Sequence, residues 1–284
     1  MSRDSVASVS KIRGRYETFK HAIILFVIGL EMIPIYMMLQ ISVKNNQSFL
    51  ANPWFPIPPG QWNLENYVYA AKLILPYVAN TVFIAVTTVG AALFFAVLAA
   101  YFFARYKMPF GTLLFGIFLF LMIMPGIANI VPLFSLLSEL SLINTLWAII
   151  VVGTAGAQAF NIYVLKNFIE DLPYELFEAA EVDGASHFQQ VTNIVFPMCG
   201  SIISTLAILL FIREWNEYLL PLIVLRDQEL FPLGVGLIYL DGESVKRWGH
   251  IMSAYVMASI PLVVIFIFTM RLFIRGLTSG AVKG

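Results

Sequence analysis

Charge is scarce in this sequence. Lys, Arg, Asp and Glu supply 12% of its 284 residues, about half the share of a soluble globular domain. The signs balance at 17 each, so net charge singles out no partner, and no nucleic acid is expected. Cysteine is nearly absent. Cys199 stands alone, which excludes an internal disulfide, and its apolar surroundings suit a small core residue. The three histidines, His21, His187 and His250, lie too far apart to suggest a metal site. The chain has no GxxxxGK[ST], HExxH or CxxC motif. Nothing in it cradles ATP phosphates, and no catalytic set or cofactor site is expected.

Apolar residues, by contrast, are plentiful. They make up 60% of the chain, and the mean hydropathy is +0.83. They come in long blocks separated by short polar stretches, the pattern of an all-α polytopic membrane protein. Six blocks reach the roughly 20 residues needed for a span: 21–42, 77–104, 111–136, 143–165, 198–222 and 251–272. The expected organisation is an N-terminal segment 1–20, a membrane domain 21–275 and a tail 276–284. Block one follows a basic stretch, as a signal peptide would. It lacks a small-residue cleavage site and continues through Pro34 to Ile41, so it reads as an uncleaved span.

Flanking cations set the orientation. With the N-terminus inside, the inner set is Arg3, Lys11, Arg13, Arg15, Lys20, Arg105, Lys107, Lys166, Arg271, Arg275 and Lys283. The outer set is Lys44, Lys72, Arg226, Lys246 and Arg247. Eleven against five puts both termini in the cytoplasm. The first outer loop, 43–76, carries Trp54, Trp62, Tyr67 and Tyr69, which fit an aromatic belt. A short interfacial helix is expected after Asn63 as N-cap. The last outer loop, 223–250, is polar and Gly-rich, long enough to cover a mouth or meet another protein.

Several spans carry local features. In the second, Ala92, Ala96 and Ala100 belong to a run of small residues that favours close helix packing. The third contains Pro125, Gly126, Asn129 and Pro132 and is expected to be kinked. The fifth is interrupted by Arg213, Glu214, Asn216 and Glu217. Ionisable groups inside a membrane are costly and face a cavity or a partner. Arg213 and Glu217 are placed to pair at i, i+4. Arg213, Trp215, Asn216, Glu217 and Tyr218 are therefore candidates for a translocation path. An internal ion pair between helices explains the same charges. Glu31 interrupts the first span, and Asn80, Gln158 and Asn161 are weaker path candidates. A stand-alone secondary transporter and a membrane-embedded lipid-modifying enzyme remain open on composition alone.

The polar stretch 170–197 interrupts this apolar chain. It holds Glu170, Asp171, Glu175, Glu178, Glu181 and Asp183 and must lie outside the bilayer. Asp171 and Pro173 suit a helix start. That helix should stop at Gly184, which takes positive φ readily. Ser186 and Gln189 form a capping-box pattern for a second helix. It is expected to end at Phe196, because Pro197 follows.

Glu178-Ala179-Ala180, then Gly184, then Ile194 and Pro197, resemble the EAA loop of ABC importer permeases. That family reads E-A-A, three residues, G, nine residues, I-x-L-P, and Phe196 stands here where Leu is usual. Trp215-Asn216-Glu217-Tyr218 and Gly280-Ala281-Val282-Lys283-Gly284 resemble the maltose-type carbohydrate permeases. The resemblance implies a type I importer permease fold with six transmembrane helices in a bacterial or archaeal plasma membrane. It implies a second permease subunit, two ATPase subunits that use ATP and Mg, and an extracytoplasmic solute-binding protein. Glu178, Ala179, Ala180, Glu181, Gly184, Ile194 and Pro197 would then form the ATPase-coupling loop. Residues Gly280, Ala281, Val282, Lys283 and Gly284 would reach the ATPase interface.

Overall fold

A computed structural model describes residues 3–124, 129–242 and 246–281, with side chains for 17–124, 129–242, 246–267 and 270. All regular structure among the described residues is helical. The helices are α1 (Arg3–Ser42), α2 (Asn46–Ala51), α3 (Glu65–Arg105), α4 (Gly111–Ile123), α5 (Ile130–Glu139) and α6 (Leu146–Glu170). They continue with α7 (Glu175–Val182), α8 (His187–Met198), α9 (Gly200–Asn216), α10 (Leu219–Val224), α11 (Leu233–Asp241) and α12 (Trp248–Ala281).

Among the described residues, four helices are long and apolar enough to cross a membrane: Glu17–Ser42 within α1, α3, α6, and Trp248–Ile267 within α12. The pair α8 and α9, bent by 81°, adds a fifth if counted as one span. The block expected at 111–136 is divided between the shorter apolar helices α4 and α5. Pro125 and Gly126, on which its kink was expected, lie outside the described residues. The interfacial helix expected after Asn63 is not separate. One helix runs from Glu65 to Arg105 with Pro76 inside it. A proline inside a membrane helix is tolerated where neighbouring groups re-satisfy the freed carbonyl.

The chain divides into two compact units. One comprises Met1–Ala71 with Ser244–Met257. Its polar centre is Lys44, fully buried, whose Nζ donates to the carbonyls of Asn52 (2.6 Å) and Phe55 (2.8 Å). Asn66 Nδ2 donates to the carbonyls of Ser42 and Lys44. Gly249 is required beside them, because a Cβ there would fall 2.4 Å from Asn66 Nδ2. The proline-rich loop is thus an ordered cap, with Trp54 and Trp62 exposed on it.

The other unit comprises Lys72–Glu243 and Ala258–Gly284. Ala92, Ala96 and Ala100 on α3 are fully buried, as close packing requires. The second half of α3 forms a core with Ile162, Leu165 and Ile169 of α6. Phe177, Val191 and Val195 from the polar stretch join that core. The 223–250 loop is partly helical where it is described. Asn80 Nδ2 donates to the carbonyls of Glu229 and Phe231, and Thr81 Oγ1 accepts from Leu233 N–H at 2.7 Å. Gly236 on α11 lies so close to Tyr77 that a Cβ would overlap its ring.

Candidate functional site: the helix–glycine–helix loop

Helix α7 is shorter than expected at its start. Asp171 does not cap it; Asp171 is the C-cap of α6, and α7 opens at Glu175 behind Tyr174. The cause is Arg105, the last residue of α3. One of its terminal nitrogens donates to Ile169 O at 2.7 Å and to Leu172 O at 2.8 Å. Its guanidinium carbon also lies 3.9 Å from the centre of the Phe177 ring. These contacts hold 169–172 as a turn, so the next helix starts later.

The end of α7 matches the sequence reading. Gly184 has φ +76°. Its N–H bonds Glu181 O at 3.0 Å, and Ala185 N–H bonds Ala180 O at 2.9 Å. Together these bonds form a Schellman stop. Ser186 then starts α8 with a complete capping box: Ser186 N–H donates to Gln189 Oε1 at 2.8 Å, and Gln189 N–H donates back to Ser186 Oγ.

Helix α8 does not stop at Phe196. Residues Val191–Val195 widen into a π-turn, and Phe196 N–H bonds Val191 O five residues back. The wider turn keeps Phe196 helical (φ −58°, ψ −48°) despite the following Pro197. Such π-turns are rare and cluster at functional sites. The bend comes at Cys199, between α8 and α9.

A hydrogen-bonded network pins the loop to α3. Tyr101, fully buried, donates to Gln190 Oε1 at 2.7 Å. Tyr106 donates to Glu181 Oε1 at 3.2 Å. With that proton committed, Tyr106 accepts from His187 Nδ1 at 3.1 Å. Burial pushes Tyr106 above the ordinary phenol value; the hydrogen bond with Tyr101 pulls it down, and the bond to the Glu181 carboxylate raises it again. Glu178, Ala179, Glu181 and Gly184 are exposed, as is Pro197, while Ala180 and Ile194 are half-buried. Ile194 packs against the core. Val182 is 87% exposed, an apolar tip on an acidic helix that sequence reasoning passed over. Its position between Glu181 and Gly184 was the available signal. Arg105 was read only as a flanking cation.

The second candidate set is rearranged. Arg213 pairs with its neighbour Glu214 at 2.7 Å, not with Glu217. Helix α9 ends at Asn216, so the i, i+4 geometry never forms. Glu217 Oε1 instead accepts from Leu219 N–H and Leu220 N–H, starting α10. Glu214 is buried, and Arg213 also reaches Gly153 O at 3.2 Å. Gly153 is required there: a Cβ would meet Thr88 Cγ2 at 2.9 Å and Glu214 Oε2 at 3.0 Å. Trp215 is buried and stacks on Phe211, while Tyr218 is exposed. Asn216 is exposed, and its amide bonds Ile212 O. At the C-terminus, Gly280 and Ala281 close helix α12. Val282, Lys283 and Gly284 lie outside the described residues. Among the residues described, no group of three His, Cys, Asp or Glu side chains could hold a metal ion.

Known proteins share this architecture. A solved bacterial ABC transporter that imports the acidic polysaccharide alginate has a chain matching with TM-score 0.81, covering 96% of this chain and 99% of that one, at 23% identity. The arabinooligosaccharide transport permease AraQ of Halalkalibacterium halodurans is 32% identical over 80% of this chain and 81% of its own length. The melibiose/raffinose/stachyose import permease MelC of Bacillus subtilis is 31% identical over 89% and 91%. The trehalose/maltose permease MalG of Thermococcus litoralis is 30% identical over 93% and 95%. The family model described as "Binding-protein-dependent transport system inner membrane component" matches residues 92–279, and this chain belongs to that family.

Proposed function

We propose that this chain is one of two permease subunits of an ATP-driven carbohydrate importer, and that the 170–197 loop couples it to a separate ATPase. As a member of its family, the chain is a transport component of the inner membrane, not an enzyme. The observation that carries the coupling reading is the build of the loop. A rigidly capped helix–glycine–helix presents Glu178, Ala179, Glu181 and Val182 outward, while Phe177, Val191 and Val195 root it in the core. Such a knob can pass a displacement to α3 and α6 without melting.

The partners in this reading are a second permease, two ATPase subunits that bind ATP and Mg, and an extracytoplasmic solute-binding protein. Both termini are cytoplasmic, and six crossing segments carry the path. Carbohydrate is the proposed cargo, because relatives across most of the chain carry oligosaccharides. A ligand shifts a two-state transporter only through a difference in affinity for the two states. The ATPase must therefore grip the loop differently when it closes on ATP.

The test is reconstitution of the complete importer with labelled sugar. Uptake should require ATP and the binding protein, and Glu178→Lys should insert normally yet lose both uptake and binding-protein stimulation of the ATPase. Uptake driven by an ion gradient without any ATPase would overturn the reading.

A further inference from the structure

A cavity of about 160 Å³ lies along the seam between α6 and α9. It is lined in part by Ala157, Phe160 and Asn161 of α6 and by Leu206, Leu209 and Arg213 of α9. Asn161 is only 3% exposed, and its amide nitrogen has no hydrogen-bond partner among the described residues. A buried amide left unpaired is costly, the more so within a membrane span.

Arg213 reaches the same cavity with its charge already balanced. Its Nε and one terminal nitrogen donate to Glu214 Oε1 at 3.0 and 2.7 Å, and that terminal nitrogen also donates to Gly153 O. The other terminal nitrogen makes no hydrogen bond among the described residues. Phe160, Leu209 and Arg213 are exposed, so the cavity opens at the surface of the chain. An ion pair and an unpaired amide at one opening suit a polar path, because ionisable groups within spans face a cavity or a partner rather than lipid.

We propose that this cavity is a subsite for one neutral sugar ring. Asn161 bonds one ring hydroxyl, the unused nitrogen of Arg213 donates to a second, and Phe160 supplies an aromatic wall. An amide offers both a donor and an acceptor, and a hydroxyl can answer either. A carboxylate or phosphate answers only the donors, and Glu214 has cancelled the charge that would attract it. The subsite rests on the carbohydrate reading above and narrows it to uncharged rings.

Saturation-transfer NMR of the full chain, purified in a detergent without a sugar headgroup, tests this. The probes are methyl α-glucoside and methyl α-glucuronide, which differ by one carboxylate. The native chain should bind the glucoside and exclude the glucuronide. Asn161→Leu should weaken glucoside binding about fivefold, equivalent to the roughly 1 kcal/mol that one hydrogen bond contributes. It should melt no lower than the native chain, because an unpaired buried amide has been removed. Glu214→Gln leaves the charge of Arg213 unbalanced, so it should keep the glucoside and also admit the glucuronide. No glucoside binding by the native chain, equal binding of both probes, or unchanged binding in Asn161→Leu would overturn the subsite. Glu214→Gln that binds the glucoside yet still excludes the glucuronide would overturn its charge selectivity. The measurement needs neither ATP nor a partner subunit, so its failure is distinct from that of the importer reading, which fails on uptake driven by an ion gradient.

Discussion

Gly184 occupies a backbone state, φ +76°, that costs an L-residue about 1–2 kcal/mol. Its N–H also closes α7 onto Glu181 O. A graded series follows. Gly184→Asn should be mildest, since Asn tolerates this region. Gly184→Ala should weaken the stop by about 1 kcal/mol. Gly184→Pro should abolish it, because proline fixes φ near −65° and removes the donor. Membrane insertion should stay constant across the series while sugar uptake per ATP hydrolysed falls in that order. Equal coupling in all three would show that the turn does not transmit force. Lys44 supplies a second residue-scale prediction. Burial lowers its pKa from the ordinary 10.5, so in the alkaline window below 10.5 the unfolded state binds more protons than the folded one. Stability then rises with pH across that window, from this group. Below the folded-state value both states are charged and the slope vanishes. Lys44→Met should remove this alkaline rise in melting temperature. It should also lower stability at neutral pH, because the Asn52 and Phe55 carbonyls lose their donor. A buried carbonyl left unpaired costs about 1–3 kcal/mol.

Elements show where local sequence stops being informative. The Gly184 stop and the Ser186–Gln189 box were legible because each is a contract among neighbours three to five residues apart. The start of α7 was not. It is set by Arg105, whose acceptors Ile169 and Leu172 lie 64 and 67 positions away. Pairing of Arg213 with Glu217 failed for a related reason: i, i+4 geometry presumes a continuous helix, and α9 breaks at Asn216. Passage of α8 through Phe196 depends on a π-turn that no residue pattern announces. The Arg105 clamp makes a direct prediction. Hydrogen bonds from a charged donor contribute about 1.5–3 kcal/mol each, and its contact with Phe177 adds about 0.5–2 kcal/mol. Arg105→Ala should raise hydrogen exchange of residues 172–180 by at least tenfold and leave exchange elsewhere in α3 and α6 unchanged. Arg105→Lys keeps a charge but loses the planar contact, so it should recover only part of the protection. Native protection in Arg105→Ala would show that α7 is held by apolar packing alone.

At the scale of the molecule, the coupling reading stands or falls on sidedness, because ATP is a cytosolic fuel. The cation bias argues that 170–197 faces the cytoplasm and 223–250 the outside. The chain offers a clean way to ask. Its single cysteine, Cys199, is buried, so the native protein should give no signal with a membrane-impermeant thiol reagent. Asp183 on the loop and Gln228 before α11 are both exposed, and among the described residues neither side chain caps a helix or forms a salt bridge that substitution would break. Gln228→Cys should react in intact cells whose outer barrier has been removed, and Asp183→Cys should react only in inverted vesicles. The reverse pattern would put the helix–glycine–helix knob on the side without ATP. No ATPase could then grip it, and the capped, core-rooted build of α7 and α8 would need a different partner, one outside the cell.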